Sequence, residues 1–478
     1  MLLLYFIGML SQSFARELSI DDALKLTIEQ NPQLKQADYD VERAKTSYMS
    51  AKGIFDPQLT ASVGRNVSTN QQLMAGVAFD LETAGPSYRV GFQSQLPTGT
   101  NVSMNWNTSR TSTKFKLENS PSEQEFNPFD TRLQLNLTQP LLQGSSVMYN
   151  LRFVKEAQRG IELSVLRKKE QLLNTLTDVS KKYWNVQYQK LLLDLAIDSI
   201  EVAEEEVRTI QAQVQEGNLA SVELDRVEVS RLSAEVAKID AENVYLASYE
   251  SFLLLLGFEV TEQIQLVSND MNTLEVNDWN IETEIQKAME GNLSLQVLEQ
   301  NIEASYQRSK EAHHALFPDV SLVSSYTLSG WEDEFSQAME EVFERSLPGS
   351  YVGLEMSVPI ANWADQGDYQ QKLIDVEKAK QDLRTAQDGI KQQVHAQVRI
   401  LQVSQRKIAL AEQNIIVAEK TLEADKTLRD LGRNVEKDVL ASIQSLKDAR
   451  TQLAKAKVDQ QQALLELARL KGDFFYVK

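Results

Sequence analysis

The stretch Leu135-Asn-Leu-Thr-Gln-Pro-Leu-Leu-Gln-Gly144 separates two kinds of chain. Before it the residues alternate, as in Tyr88-Arg-Val-Gly-Phe-Gln-Ser-Gln-Leu96 and Asn101-Val-Ser-Met-Asn-Trp106, the period of a β-strand with two different faces. After it the apolar residues Val165, Leu172, Leu176, Val179, Tyr183, Val186, Leu193, Ile197, Ile200, Val207 and Val214 fill eleven of fifteen positions that advance by fours and threes from 165 to 214, the stripe of a coiled coil. A strand block therefore ends at Pro140 and a long helix follows.

The same boundary recurs. Leu354-Glu-Met-Ser-Val-Pro359 matches Leu135–Pro140 at an offset of 219, Asn292-Leu-Ser-Leu295 matches Asn31-Pro-Gln-Leu34 at 261, and Gly432 and Gly472 match Gly217 and Gly257 at 215. Pro57, Pro140, Pro318 and Pro359 mark the borders of the two strand blocks. The chain is two copies of one unit. The drop from 261 to 219 places 42 extra residues in the first strand block. Pro97-Thr98-Gly99, a tight-turn signature inside that block, leaves open whether the insertion adds strands to a sheet or folds over its mouth.

The expected layout is a signal peptide over 1–15, a first repeat over 16–257, a linker over 258–278, a second repeat over 279–472 and a tail over 473–478. The first repeat holds a helix of about 30 residues, a strand block at about 58–140, a long helix at about 145–216 and a return helix at about 221–256. The second holds a strand block at about 318–359, a long helix at about 366–431 and a return helix at about 434–471. The apolar run Leu2–Leu10 and the small residues of Ser13-Phe14-Ala15 are the basis for export, with Arg16 as the mature start.

Composition narrows the function. Among 478 residues, 68 acids against 49 bases give a net charge of −19, which argues against a nucleic-acid partner. With no cysteine there is no disulfide frame or thiolate metal site. The ten prolines avoid 141–317 and 360–478, as long helices require. The three histidines, His313, His314 and His395, form no metal motif, and no phosphate loop or nucleophile elbow is present. His313-His314 reads as a surface pair at a helix end. No enzyme, cofactor or metal is expected.

A few strands with polar alternation and open edges are marginal alone. Several copies sharing one membrane-spanning barrel would close those edges. Aromatics gather around the first block (Tyr88, Phe92, Trp106, Phe115, Phe126, Phe129, Tyr149) and the second (Trp331, Phe335, Phe343, Tyr351, Trp363), as membrane-interface belts do.

The duplicated order of elements, with the Thr138–Gly144 run and a glycine-led acidic turn after each long helix, resembles the TolC-like outer-membrane efflux proteins. The resemblance implies a mainly α fold with a small β part: a homotrimer whose outer-membrane β-barrel continues into a long periplasmic α-helical barrel. It implies two strands per repeat, an equatorial belt built partly from the linker, and no cofactor. It further implies an exit duct for efflux or type I secretion, embedded in outer-membrane lipid. The duct would work with a periplasmic adaptor (membrane fusion protein) and an inner-membrane transporter of RND or ABC type.

In such proteins, carboxylates just past the tip glycines line a periplasmic gate. The matching positions are Glu223 and Asp438, with Asp225 as a further candidate because Ala441 stands where another acid is usual. Acids in a helix's first turn also complement its dipole without any gate. Gly217, Asn218, Leu219 and Ser221, with Gly432, Arg433 and Asn434, are the turns expected to meet the adaptor. The alternative is a soluble periplasmic coiled-coil structural or adaptor protein, which would carry a lipoyl-like β-domain between its helices instead of barrel-like strands.

Overall fold

The computed structural model of the protein describes residues 16–74, 77–110, 112–117, 124–217, 219–260, 262, 264–267, 279–344, 348–430 and 436–473. The signal peptide, Asn218, Gly432, Arg433, Asn434, most of the 258–278 linker and the tail beyond 473 lie outside the described residues. The fold is mainly α with a small β part. The first repeat opens with β1 (Arg16–Leu18), α1 (Ile20–Gln30) and α2 (Pro32–Lys52). Its strands are β2 (Gln58–Met74), β3 (Val77–Gln95), β4 (Asn101–Arg110), β5 (Ser112–Leu117), β6 (Gln124–Phe126) and β7 (Phe129–Pro140). A single turn, α3 (Val147–Asn150), precedes α4 (Arg152–Gln215), and α5 (Ser221–Leu256) returns. The linker holds β8 (Ile264–Leu266), and the second repeat holds α6 (Ile281–Gly291), α7 (Leu293–Ala315), β9 (Asp319–Glu332), α8 (Phe335–Glu344), β10 (Gly349–Ser357), α9 (Trp363–Asp430) and α10 (Glu436–Lys471).

These elements fall into two compact units. A helical unit draws on the chain up to Val41, Ser164–Glu299 and the chain from Asp382; a sheet unit comprises Glu42–Leu163 and Gln300–Gln381.

In the helical unit the opening helix is not continuous. It breaks at Asn31, whose ψ of 124° is extended, and the second repeat breaks alike at Asn292, with ψ 119°. Pro32 cannot be the shared cause, because Leu293 stands at the matching position. The asparagines are. Asn31 Oδ1 accepts from the N–H groups of Gln33 and Leu34 while its Nδ2 donates 2.7 Å to Leu255 O. Asn292 Oδ1 accepts from Leu295 N–H, and its Nδ2 donates 2.9 Å to Leu470 O. Each asparagine thus caps a helix start and clasps the end of the return helix in its own repeat.

The coiled-coil stripe of α4 also differs from the expected one. Leu176, Val179, Tyr183, Val186 and Leu193 are buried as the heptad requires, but beyond them the buried residues are Leu195, Ala196, Ala203, Glu206 and Ile210, while Ile197 is exposed. A step of three from Leu193 to Ala196, where the heptad calls for four to Ile197, shifts the seam by one residue, and Ala203 and Ile210 continue it at intervals of seven. Such a stammer overwinds a supercoil locally. The alanines carry little hydrophobic weight in a sequence pattern, yet they let helices approach closely.

Two apolar clusters sit at matching places. One gathers Leu18, Leu24, Val179, Tyr183 and Phe252; the other gathers Leu295, Val394, Val398, Leu401 and Leu467. Burying each large side chain stabilises by about 1.5–3 kcal/mol. Parallel pairing of β1 with β8 closes the first cluster, where Tyr183 Oη and Gln187 Nε2 both donate to Val267 O.

The sheet unit runs in the order β2, β3, β4, β7, β9, β10, all antiparallel, with β5 and β6 extending alongside the outer half of β3. Pro57 directly precedes β2, Pro318 directly precedes β9, Pro140 closes β7, and Pro359 follows β10 by two residues. All four prolines therefore stand at the sheet end that joins the helices, where a missing N–H donor is tolerated. The second strand block is not all strand. Residues 335–344 form α8, so Phe335 and Phe343 are helical residues.

Candidate functional site

Register gives the sheet two faces. Leu59, Phe92, Met104, Leu135 and Tyr326 lie side by side across β2, β3, β4, β7 and β9, and Ala61, Val90, Trp106, Leu133 and Leu328 form the next row on the same face. Val352, Leu354 and Met356 continue it on β10. The opposite face carries Gln58, Gln93, Ser103, Asn136 and Ser325, then Thr60, Gly91, Asn105, Gln134 and Thr327.

That second face is stitched by polar contacts. Gln93 Nε2 donates 2.9 Å to Gln58 Oε1, Arg89 Nε donates 2.7 Å to Asn107 Oδ1, and Asn136 Nδ2 donates 3.2 Å to Ser103 Oγ. A sheet polar on one side and apolar on the other, with the apolar side exposed at Leu59, Val63, Val67, Leu135 and Leu354, suits a wall between water and lipid. On β2 the apolar face spans Leu59 to Val67, and above it the chain reads Ser68-Thr-Asn-Gln-Gln72. Nine residues of a tilted strand rise roughly 20–25 Å, the height of an outer-membrane apolar band. Arg65 interrupts this face, in register with Pro86, toward the end where a long side chain reaches the interface.

At the far end of the sheet α8 lies on the apolar face. Phe335 meets Trp106 and Phe129 edge to face, at centroid distances of 6.2 and 5.9 Å. Beneath the helix, Thr108 and Thr131 are buried and share a 2.7 Å hydrogen bond between hydroxyls. The opposite end is fastened. Asn150 Nδ2 donates to Pro97 O at 3.2 Å and to Gly144 O at 2.8 Å. Gly99 has φ +85°, and a Cβ there would stand 2.3 Å from Gly144 O.

The turn at 97–99 is thus held against the strand-to-helix junction. The two histidines join the same junction rather than forming a bare surface pair. His314 Nε2 accepts 3.1 Å from Gly144 N–H, and its ring packs 4.6 Å from Tyr149. Burial, with Arg152 and His313 nearby, holds the His314 pKa below its ordinary value. His313 packs on Phe317 and Tyr369.

In the helical unit, Gly217 (φ +79°) ends the turn after α4, Leu219 follows, and Ser221 opens α5 after Ala220, which makes no side-chain cap. Glu223 lies in the first turn of α5 and pairs with Arg226 at 2.9 Å, and Asp225 is exposed. Asp438 is exposed near the start of α10. No hydrogen bond or ion pair joins these three carboxylates among the described residues. Further along, Ser442 Oγ donates 2.5 Å to Asp425, and Arg450 pairs with Glu419 at 3.1 Å, tying α9 to α10. Lys181 of α4 pairs with Glu466 of α10 at 2.5 Å, linking the two repeats.

Pattern reading passed over two apolar seams that the structure leaves bare. On α5 the residues Val222, Val229, Leu232, Val236, Ile239 and Leu246 are exposed, and on α9 so are Val403, Leu410 and Val417. Within each set, residues seven apart recur (229 and 236; 232, 239 and 246; 403, 410 and 417), which is heptad spacing.

A two-faced antiparallel sheet joined at one end to paired long helices defines a class of outer-membrane channel built from a barrel and helices. The model of the outer membrane efflux protein family matches residues 23–258 and 285–473, and the chain belongs to that family. It is accordingly an outer-membrane efflux channel rather than an enzyme. Among solved structures it is similar to CusC, studied for folding and transmembrane channel formation, at 14% identity and a TM-score of 0.71 over 97% of this chain and 94% of that one. It also resembles the outer membrane protein VceC of Vibrio cholerae (13% identity, TM-score 0.69, 95% and 96% covered). The Campylobacter jejuni CmeC outer membrane channel gives 14%, 0.68, and 96% and 87%. No curated protein matches the chain in sequence.

Proposed function

We propose that three copies of this chain assemble into the passive exit duct of a tripartite efflux or type I secretion system. A periplasmic adaptor and an inner-membrane transporter of RND or ABC type would supply the coupling and the energy. The pair of bare heptad seams is the observation that carries the reading. An apolar coiled-coil stripe in water calls for a partner helix, and a ring of copies lets the α5 seam of one meet the α9 seam of the next.

Within that ring the first turns of α5 and α10 would bring Glu223, Asp225 and Asp438 together by symmetry, as a carboxylate ring that favours cations. The turns at Gly217, Asn218, Leu219 and Ser221, and at Gly432, Arg433 and Asn434, are the surfaces offered to the adaptor's helical hairpins. Cell fractionation followed by chemical crosslinking tests the assembly. Recovery with the outer membrane and a crosslinked trimer are expected, and Ile239→Asp with Val236→Asp should abolish the trimer band. Recovery as a soluble monomer would overturn the reading.

A further inference from the structure

The 42 extra residues of the first repeat do not cover the mouth through the Pro97–Gly99 turn. That turn lies at the sheet end joined to the helices, pinned by Asn150 to the carbonyls of Pro97 and Gly144, and by Gln139 Nε2, which donates 3.3 Å to Thr98 O. Its flanking strands are full members of the sheet. Nine consecutive positions of β3 pair with β4, and ten positions of β4 pair with β7. The apolar rows described above pass through β3 and β4 without a break.

We infer that β3 and β4 are wall strands, so that each copy contributes six strands to a barrel of eighteen, with β10 of one copy pairing to β2 of the next. This rests on the three-copy reading above. Three features of the sheet support it. Over the height that the six strands share, β2 and β10 are the edges, β6 being an edge only in the outer part, and an edge row of N–H and C=O groups cannot remain unpaired within a bilayer. Six is an even number, so β2 and β10 run in opposite directions and a ring of identical copies closes with antiparallel pairs throughout. Val352, Leu354 and Met356 on β10 and Leu59, Val63 and Val67 on β2 are all exposed, and they sit on one face of the sheet, so the apolar band continues across the seam.

The geometry has a measurable consequence. At a strand spacing of about 4.8 Å and a tilt of about 40°, eighteen strands give a backbone radius of roughly 18 Å, against roughly 12 Å for twelve. The outer-membrane section of this duct therefore has about one and a half times the width, and about twice the cross-section, that two strands per repeat would produce.

Because the chain has no cysteine, introduced pairs report strand neighbours without background. Oxidation of Val63→Cys/Tyr88→Cys and of Met104→Cys/Leu135→Cys, in protein recovered with the outer membrane, is expected to form intramolecular disulfides. Leu59→Cys combined in turn with Val352→Cys, Leu354→Cys and Met356→Cys is expected to give covalent dimers and trimers for at least one partner. A disulfide in Leu59→Cys/Leu135→Cys, with the first two pairs remaining reduced, would put β2 beside β7 and overturn the inference while leaving the duct standing. End-on electron micrographs of the unmodified purified protein provide a test free of substitutions: a barrel backbone ring about 36 Å across is expected, and one about 24 Å across overturns it. A soluble monomer would remove the duct and this wall together.

Discussion

Single residues carry two kinds of work in this chain. Glu223 and Asp438 stand in helix first turns, where an acid complements the helix dipole whatever else it does. A gate role is distinguished by ion selectivity. Replacing both by alanine is expected to lower cation over anion permeability several-fold in planar bilayers and to relieve block by divalent cations; unchanged selectivity would leave only capping. His314 holds a junction, through an acceptor nitrogen that must be neutral. Its folded pKa is depressed below the ordinary 6.5 by burial first, then by Arg152 and His313. The stability it contributes is therefore complete above pH 6.5 and is lost as pH falls from there through the folded value. The thermal midpoint of the protein should drop on acidification through that window, and His314→Gln, which keeps an acceptor for Gly144 N–H, should flatten the drop. The alignment of Asn31 with Asn292 was visible in the sequence, but their role was not: Leu255 O lies 224 residues from Asn31, a distance no local pattern spans.

Among elements, the two repeats solve one packing problem in different chemistry. In the second, Glu284 of α6 is buried and pairs with Lys471 of α10 at 3.1 Å and with Lys287 at 3.0 Å. Burial alone would raise the Glu284 pKa, but the two lysines outweigh it and hold it low. At the repeat-related positions of the first copy stand Ala23 and Leu256, both fully buried. Glu284→Ala leaves the nearly buried Lys471 ammonium with only the more distant Asp473, at 3.8 Å, and is expected to cost about 3 kcal/mol, read as a fall in the thermal midpoint followed by helical circular dichroism. Adding Lys471→Leu, which copies the first repeat, should recover most of it. The long helices were legible because heptads persist over many turns, whereas the seam shift in α4 was hidden by alanines. The helix α8 had a signal that was missed: Phe335, Ala338, Met339, Val342 and Phe343 fall on one helical face, but their place between two strands favoured reading them as strand aromatics.

For the whole molecule, duplication and the strand-to-helix boundary were enough to give the family's architecture. The number of strands was not, since a turn signature such as Pro97-Thr98-Gly99 does not say at which end of a sheet it lies. The contacts of Asn150 and Gln139 do. The lengths of the strands have one more consequence. β2 has 17 residues and β3 has 19, while β10 has 9, so in a closed ring the first-repeat side of each copy overtops the second-repeat side beside it. In the proposed ring of three copies the outer rim of the duct would be a crown of three teeth separated by notches. The upper edge of each β2, left without a neighbour once β10 ends, is the backbone that anything approaching from outside the cell would meet first.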